Sequence, residues 1–204
     1  ESLGLEHPFV LARYDRAADV QDLERLFLET RDRGNEGLML KDPNSGYMPG
    51  RRGQAWLKLK RPLATLDVVV TAAEWGYGKR HGVLSDYTFA VLGGRGELLD
   101  VGKAYTGLTD AEIAAMTSHF LAHTVVDEGR RRLVEPETVL EVAFDSIQKS
   151  RRHPSGFALR FPRILRVRDD KRPDEIDTLA NVASLYERFY GGEGTVDLAQ
   201  IAVT

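Results

Sequence analysis

Two short segments decide how the first part of this chain folds: Glu36-Gly37-Leu38-Met39-Leu40-Lys41 and Trp56-Leu57-Lys58-Leu59-Lys60. Charged and apolar side chains alternate in them, and a period of two predicts two strands. On the second strand Trp56, Lys58 and Lys60 then share one face. Two ammonium groups held on one face favour a polyanionic ligand.

The composition sets limits on the class of protein. The chain has 204 residues and no cysteine, which allows one or two small domains and excludes disulfides, thiolate catalysis and cysteine-based zinc sites. No apolar run approaches the roughly 20 residues of a membrane-spanning helix, and no export signal is visible. We therefore expect no membrane partner and a cytoplasmic location, associated with the nucleoid if the host is prokaryotic.

The charge distribution is more informative than the net charge of −3. Basic residues concentrate in two clusters, which predict a phosphate-binding face, whereas the alternative for any single arginine is a solvated surface. The first cluster contains Lys41, Arg51, Arg52, Lys58, Lys60 and Arg61, and the second contains Lys149, Arg151, Arg152, Arg160, Arg163, Arg166, Arg168, Lys171 and Arg172.

Helix and turn signals divide the chain into three parts. Apolar residues at helical spacing between Asp19 and Gly34 predict an amphipathic helix over 19–33. Glycine and proline then mark a loop between the two lysine-bearing segments, and Arg61-Pro62 predicts a domain boundary. The predicted parts are 1–61, 62–190 and a tail over 191–204.

The second part has the pattern of a small barrel. Strand-like runs are followed by a capping box, Thr109 to Glu112, that opens a helix burying Ile113, Met116 and Phe120. The order of three strands, a helix and two more strands is typical of a five-stranded OB-fold barrel, and the fold class is therefore mainly β with helices (α+β). The strands are expected at Leu66–Trp75, Tyr87–Leu92, Glu97–Tyr105, about 138–144 and 157–168, with a hairpin turn at 93–96 and a last helix from Leu179 to Phe189.

Four segments together resemble the ATP-dependent DNA ligases. The two opening segments resemble the family's fourth and fifth nucleotidyltransferase motifs, and the resemblance continues in Arg160-Phe161-Pro162-Arg163 and Arg168-Asp169-Asp170-Lys171. The last of these has the Arg-x-Asp-Lys form of the sixth motif. The resemblance covers about residues 10–190 and implies the C-terminal part of a nucleotidyltransferase (ATP-grasp-like) adenylation domain followed by an OB-fold domain.

This resemblance implies roles for the residues that could bind a nucleotide. Glu36 would lie near a catalytic Mg²⁺ or Mn²⁺, although a surface glutamate is the alternative. Lys58 and Lys60 would be catalytic contacts to the nucleotide α-phosphate, or else lysines that protect an edge strand. Lys41 would bound the same pocket. Arg168 and Lys171 would orient the β- and γ-phosphates of ATP, with Asp170 fixing their loop.

A second set of residues would contact DNA. Phe161 resembles a phenylalanine that the family presses into the minor groove beside the nick, and the alternative is a core residue. Arg160 and Arg163 would bind the DNA backbone. Lys79 and Arg80 lie in a glycine-bearing loop with aromatic neighbours, which fits a backbone contact or a plain hairpin. For His119 and His123, four residues apart, a helical surface is favoured over a metal site.

The family's nucleophile is missing from the sequence. No Lys-x-Asp-Gly motif is present, and in Lys79-Arg80-His81-Gly82 a histidine replaces the aspartate. The third motif is also absent upstream of Glu36, and the chain begins at Glu1. We expect a C-terminal ligase fragment, inactive alone, whose partners are nicked duplex DNA and the missing N-terminal part of the adenylation domain. The alternatives are a stand-alone OB-fold nucleic-acid-binding module and one half of a split ligase.

Overall fold

The computed structural model describes residues 12–50 and 53–190. Arg51, Arg52 and the predicted tail over 191–204 lie outside these residues. The helices are α1 (Val20–Asp32), α2 (Asp110–Ala122) and α3 (Leu179–Tyr190). The strands are β1 (Gly37–Lys41), β2 (Trp56–Lys60), β3 (Ala64–Trp75), β4 (Leu84–Leu92), β5 (Leu98–Ala104), β6 (Thr124–Asp127), β7 (Arg131–Val134), β8 (Val139–Phe144), β9 (Ser146–Lys149), β10 (Phe157–Arg160) and β11 (Arg163–Val167).

Helix α1 confirms the helix predicted over 19–33. Asp19 caps it, because its carboxylate accepts the backbone N–H of Asp22 at 2.8 Å. Phe27 is buried on the inner face of the helix, and the Arg61 guanidinium lies 5.0 Å from its ring centroid. Arg61 also donates to both carboxylate oxygens of Glu24, at 2.7 and 2.6 Å, and these hydrogen bonds lower the pKa of Glu24. The chain that follows β2 is thus tied back to α1.

Strands β1 and β2 form an antiparallel two-stranded sheet, as the alternation predicts. Gly37 lies opposite Lys60, Met39 opposite Lys58 and Lys41 opposite Trp56. Directly opposed residues in such a ladder share a face, so the lysines and Trp56 lie on one side and the leucines on the other. A side chain at Gly37 would collide with the carbonyl oxygen of Leu59, which explains the glycine.

The barrel region is built on one sheet in which β11, β8, β3, β4 and β5 pair in that order, with the β6–β7 hairpin attached to β3. The long strand β3 bends at register shifts near Val70 and Glu74, which lets it pair with β8 along its first half and with β4 and β7 farther on. Its inner face joins a continuous apolar core. The largest fully buried side chains of that core are Tyr87, Phe89, Phe120 and Phe144.

The two ends of this sheet, at β11 and β5, approach each other through single hydrogen bonds. The backbone N–H of Ile164 donates to the carbonyl of Thr106 at 2.9 Å, and the hydroxyl of Ser155 donates to the carbonyl of Asp100 at 2.6 Å. Gly107 allows this approach, because a side chain there would collide with the backbone of Ile164. The mixed α+β architecture, mostly sheet, agrees with the sequence, and a closed five-stranded barrel stays a prediction.

One predicted strand is wrong, and three short strands were not predicted. The single strand expected over 157–168 is two strands, because Phe161 has φ of 52° and Pro162 follows it. The conformation at Phe161 reverses the chain, and β10 pairs with β9 while β11 pairs with β8. Strands β6, β7 and β9 have only four residues each and about half of their side chains are polar, so no strand pattern was visible for them.

Helix α2 follows its sequence signals closely. The Thr109 hydroxyl accepts the N–H of Glu112 at 3.3 Å, and the Glu112 carboxylate accepts the N–H of Thr109 at 2.7 Å. Ile113, Met116 and Phe120 are buried, as predicted. His119 lies 3.1 Å from the hydroxyl of Thr138 and stacks on His123 at 4.3 Å, which places both rings at the side of the helix. In the part of the chain that the structure describes, none of the helices is long and apolar enough to cross a membrane.

The capping box gives a first testable prediction. Thr109→Ala removes the acceptor of the Glu112 N–H, and we expect it to lower the free energy of unfolding by about 1 kcal/mol. Urea denaturation measures this value. Thr109→Ser keeps the hydroxyl and serves as the matched control, so a loss of the same size in Thr109→Ser would contradict the role of the cap.

Candidate functional site

Two exposed lysines of the β1–β2 face, Lys41 and Lys58, make no ion pair with the residues that the structure describes. Lys41 Nζ lies 4.2 Å above the ring of Trp56, which itself contacts Tyr47 at 5.8 Å between ring centroids. Lys58 is exposed and makes no ion pair with the residues that the structure describes. An exposed cation with no ion pair among these residues can bind an anionic ligand without first breaking an ion pair.

Lys60 reaches from this sheet to the barrel. Its ammonium group forms an ion pair with Asp145, which follows β8 and whose side chain is only 4% exposed. Arg163 donates to the other oxygen of Asp145 at 3.2 Å. Because two cations satisfy one buried carboxylate, Asp145 joins the fifth-motif segment to the Arg160–Arg163 segment. Sequence reasoning missed Asp145, and its only signal was an acidic residue directly after an apolar strand.

Phe161 lies on the surface beside these cations. Its side chain is 56% exposed, so the core alternative does not hold. Lys60 Nζ and the Arg160 guanidinium lie 5.1 and 5.0 Å from its ring centroid. A positive φ at a non-glycine residue is costly, and residues before proline also avoid helical backbone conformations. Strain of this kind concentrates at functional sites.

Arg168 and Lys171 converge on a carboxylate that the sequence analysis did not single out. Asp67 lies on β3 and is 12% exposed in its side chain. It accepts Arg168 Nη1 on both oxygens, at 2.8 and 3.0 Å, and Lys171 Nζ at 2.6 Å. Asp170 accepts the Nε and Nη2 of Arg168, both at 2.8 Å, and therefore does hold the loop as predicted.

The carboxylates change the acid–base behaviour of this cluster. Hydrogen bonds from Arg168 lower the pKa of Asp170 to about 2, and the same contacts raise the pKa of Arg168. A depressed carboxyl pKa stabilises the fold above the ordinary pKa of aspartate, and this contribution is lost as the pH falls toward 2. Asp170 is therefore ionised throughout the neutral range.

Glu36 lies between α1 and β1 and is exposed. Its backbone carbonyl accepts Arg31 Nη1 at 3.1 Å, which fixes the backbone at the start of β1. Over residues 12–50 and 53–190, the group of acidic and histidine side chains close enough to share an ion is His123, Glu135 and Glu137, and Glu36 is not part of it. A metal ion at Glu36 would take its other oxygen ligands from phosphate and water.

The loop with Lys79 and Arg80 forms a short 3₁₀ turn from Gly78 to Arg80. Arg80 donates to the backbone carbonyl of Tyr105, which makes it a structural contact as well as a candidate for DNA binding. Tyr77 is 71% exposed, and Arg130 from the β6–β7 hairpin lies 3.6 Å from its ring centroid. Arg130 was missed, and the run of three arginines over 130–132 was its signal.

The structure thus brings some of the predicted residues together and keeps others apart. Lys60 and Arg163 meet at the carboxylate of Asp145, and Lys60 and Arg160 meet at the ring of Phe161, although Lys60 is distant in sequence from the other three. Arg168 and Lys171 are held by a different carboxylate, Asp67. The lysine sheet and the barrel therefore share one surface, and the sixth-motif cations form a separate cluster on the barrel.

Comparison with known proteins identifies the family. Residues 3–60 match the model described as ATP dependent DNA ligase domain, and residues 80–171 match the model described as ATP dependent DNA ligase C terminal region. The two matches lie in this order along the chain, and both describe one class of protein, the ATP-dependent DNA ligases. The chain belongs to the ATP-dependent DNA ligase family.

Curated relatives agree with this assignment. The chain is 64% identical over 171 residues to a probable DNA ligase of Koribacter versatilis, covering 84% of this chain and 30% of the relative. It is 62% identical over 183 residues to a probable DNA ligase of Opitutus terrae, covering 89% of this chain and 18% of that protein. The DNA ligase of Methanothrix thermoacetophila is 44% identical over 90% of this chain. The chain thus spans a third or less of the first two relatives.

Solved structures support the fold. The structure described as Pmar-Lig_PreS3 superposes with a TM-score of 0.54 at 25% identity, over 74% of this chain and 32% of that one. A Lig E DNA ligase structure, from an analysis of DNA binding with a minimal scaffold, gives a TM-score of 0.50 at 22% identity, over 74% of this chain and 48% of that one. This second likeness concerns the fold alone.

Proposed function

We propose that this chain is the C-terminal portion of an ATP-dependent DNA ligase, which contributes phosphate contacts to the nucleotide site and a DNA-clamping barrel. The observation that carries the proposal is the contact of Lys60 with Asp145 and Phe161, because it links the nucleotide-binding strand to the segment expected to grip DNA. Residues 1–61 would complete an adenylation domain, and residues 62–190 would form the OB-fold domain.

Each cation has a role that its environment supports. Lys58 is exposed and unpaired among the described residues, so it is the side chain best placed to neutralise an α-phosphate during attack. Lys60 would share this task when Asp145 releases it. Lys41, held against Trp56, would bound the pocket. Arg168 and Lys171 would orient the β- and γ-phosphates, because a guanidinium fork matches phosphate oxygens.

ATP and a divalent ion are the cofactors that this donor set fits. When bound, Mg²⁺ or Mn²⁺ would neutralise phosphate charge beside the carboxylate of Glu36. Glu36 is exposed and its backbone is fixed by Arg31, so a hard oxygen donor is available to an ion that is otherwise held by phosphate and water. The lysine face supplies the remaining positive charge.

Nicked duplex DNA is the proposed partner of the barrel. Arg160 is exposed, lies against the ring of Phe161 and makes no ion pair within the described ranges. Arg163 would add a backbone contact although it also bonds Asp145. Lys79 and Arg80 would grip the backbone at a second point, with Tyr77 and Arg130 beside them. Such a partner places the protein in the cytoplasm, at the nucleoid of a prokaryotic host.

The reaction also requires a lysine nucleophile, which this sequence does not offer in the family's motif. We propose that the N-terminal part of an adenylation domain supplies it, as a partner or within a longer chain. Nucleophilic catalysis needs an amine that accepts the adenylyl group, and none of the lysines here has the Lys-x-Asp-Gly context. The isolated chain should therefore catalyse none of the ligation steps by itself.

Incubation of the chain with labelled ATP and Mg²⁺ tests this proposal. We expect no covalent adenylate on denaturing gels, because the motif nucleophile is absent. A ligase of the family with its own Lys-x-Asp-Gly motif is the positive control under the same conditions. A stable lysine-linked AMP on this chain would show that one of its own lysines is the nucleophile. It would refute the proposal that the N-terminal part of an adenylation domain supplies the nucleophile.

A further inference from the structure

Two carboxylates hold the guanidinium of Arg168 from different sides. Nη1 donates to both oxygens of Asp67, at 2.8 and 3.0 Å. The edge formed by Nε and Nη2 donates to the two oxygens of Asp170 at 2.8 Å each. Arg168 therefore has no bidentate edge left for another anion in this arrangement.

The two carboxylates differ sharply in burial. The side chain of Asp67 is 12% exposed and that of Asp170 is 64% exposed. Asp67 is also fixed through its backbone, because its N–H donates to Asp177 Oδ2 at 2.7 Å and its carbonyl accepts the N–H of Asp177 at 2.8 Å. Asp170 lies in a turn next to solvent. A rotation of its side chain would hydrate the carboxylate at little cost, whereas Asp67 cannot leave.

We infer that Asp67 is a positioning residue that aims Arg168 and Lys171 at a triphosphate, and that Asp170 occupies the phosphate edge of Arg168 until a triphosphate displaces it. This inference rests on the proposed function. The Nε–Nη2 edge is the fork that binds phosphate oxygens in a bidentate manner. A triphosphate carries several negative charges and therefore displaces one exposed carboxylate from that edge. Asp67 stays bonded to Nη1 and holds the guanidinium in place.

The charge balance explains what this arrangement does. Arg168 and Lys171 together carry two positive charges, and Asp67 and Asp170 cancel them. The cluster is therefore nearly neutral at rest, although Arg166 lies close enough to act on the Asp170 carboxylate. When Asp170 turns away, the phosphate edge and one net positive charge become available together. An anion with little charge would not displace Asp170 from the Nε–Nη2 edge.

Titration of the full chain with inorganic tripolyphosphate at neutral pH tests the inference, with the NMR signal of the Arg168 Nε–H as the readout. Asp170→Asn removes the competing charge, and we expect tripolyphosphate to bind about fivefold more tightly than to the wild type. Asp170→Glu keeps the charge and is the matched control, with affinity near that of the wild type. Equal affinities for wild type and Asp170→Asn would overturn the inference.

Asp67→Asn tests the positioning role. We expect it to weaken tripolyphosphate binding by about tenfold and to shift the Arg168 Nε–H signal of the free protein, since the guanidinium loses its anchor. Asp67→Glu should recover part of the affinity. Thermal unfolding of each variant shows whether the fold persists, and the exposed Asp170 variants decide the question if Asp67→Asn unfolds. An unchanged signal and affinity in folded Asp67→Asn would contradict the assignment.

Arg168→Ala separates this inference from the proposed function. Suppose that Arg168→Ala loses tripolyphosphate binding and that wild type and Asp170→Asn bind equally. This result would support the phosphate role of Arg168 and overturn only the role of Asp170. Binding that is unaffected in Arg168→Ala, or absent from all of the variants, would overturn the proposed triphosphate site and the inference with it.

Discussion

The affinity of this chain for nicked duplex DNA is expected to fall by about two to three orders of magnitude between 50 and 200 mM salt, if the barrel neutralises about five phosphates. Arg160→Ala should make the log–log slope shallower by about 0.9, because this guanidinium is exposed, has no ion pair among the described residues and would release a counterion from the DNA on contact. Fluorescence anisotropy at several salt concentrations measures this slope. Arg95→Ala, at a 93% exposed side chain on a hairpin turn, is the control.

Arg163 should behave differently from Arg160, although the sequence treats them alike. Its guanidinium already bonds the buried carboxylate of Asp145, so less of its charge is available to phosphate. We expect Arg163→Ala to change the slope by less than Arg160→Ala and to destabilise the fold more. Equal changes in slope would mean that DNA releases Arg163 from Asp145.

Phe161→Ala should weaken binding to nicked duplex by roughly tenfold and leave the salt slope unchanged, because an apolar wedge releases no counterions. Phe161→Gly should weaken it equally and also raise the stability of the free protein by about 1 kcal/mol, since glycine tolerates φ of 52°. Leu121→Ala, at a 45% exposed leucine on α2, is the control. Normal DNA affinity in Phe161→Gly would contradict the wedge assignment.

The second large effect is expected for Lys58 in a ligase that contains the whole adenylation domain. A hybrid in which this chain replaces the matching segment of the Koribacter versatilis relative provides that context, because the two are 64% identical over 171 residues. Lys58→Ala should lower the rate of nick sealing by about 10² to 10³, the typical cost of one donor to a developing phosphoryl charge. Gel assays of single-turnover sealing measure it, with Arg95→Ala again as the control.

The retention of DNA binding separates this outcome from unfolding. Lys58 is exposed, so the variant should unfold at the same temperature as the parent hybrid. Nicked-duplex affinity should change little, since Lys58 is proposed to contact the nucleotide. A variant that seals at the parental rate would remove Lys58 from the reaction, and a variant that loses sealing only through a lower unfolding temperature would make it a structural residue.

Local signals in the sequence predicted the elements whose structure is local. The cap at Asp19, the capping box at Thr109 and the glycine turn after Leu92 are all found where the residues indicated, because their partners lie within a few residues. The lysine face of β1–β2 was also predictable, since alternation alone fixes which side chains share a face.

The remaining features depend on contacts that are distant in sequence. Asp67 and Asp145 each neutralise cations from other segments, and Lys60 and Asp145 are separated by 85 positions. A lone acidic residue in an apolar strand shows only that some partner is needed. The break at Phe161 was not predictable either, because both flanking segments have strand character. The backbone strain at φ of 52° is offset by the separate pairing of β10 with β9 and of β11 with β8, which the sequence does not show.

Sealing by the unsubstituted hybrid tests the central claim most directly. If this chain is the phosphate-contacting and DNA-clamping portion of an ATP-dependent DNA ligase, the hybrid should form the lysine adenylate and seal a nick at a rate comparable with that of the Koribacter versatilis parent. A hybrid that is folded, binds nicked duplex and becomes adenylylated, but joins no strands, would contradict the account.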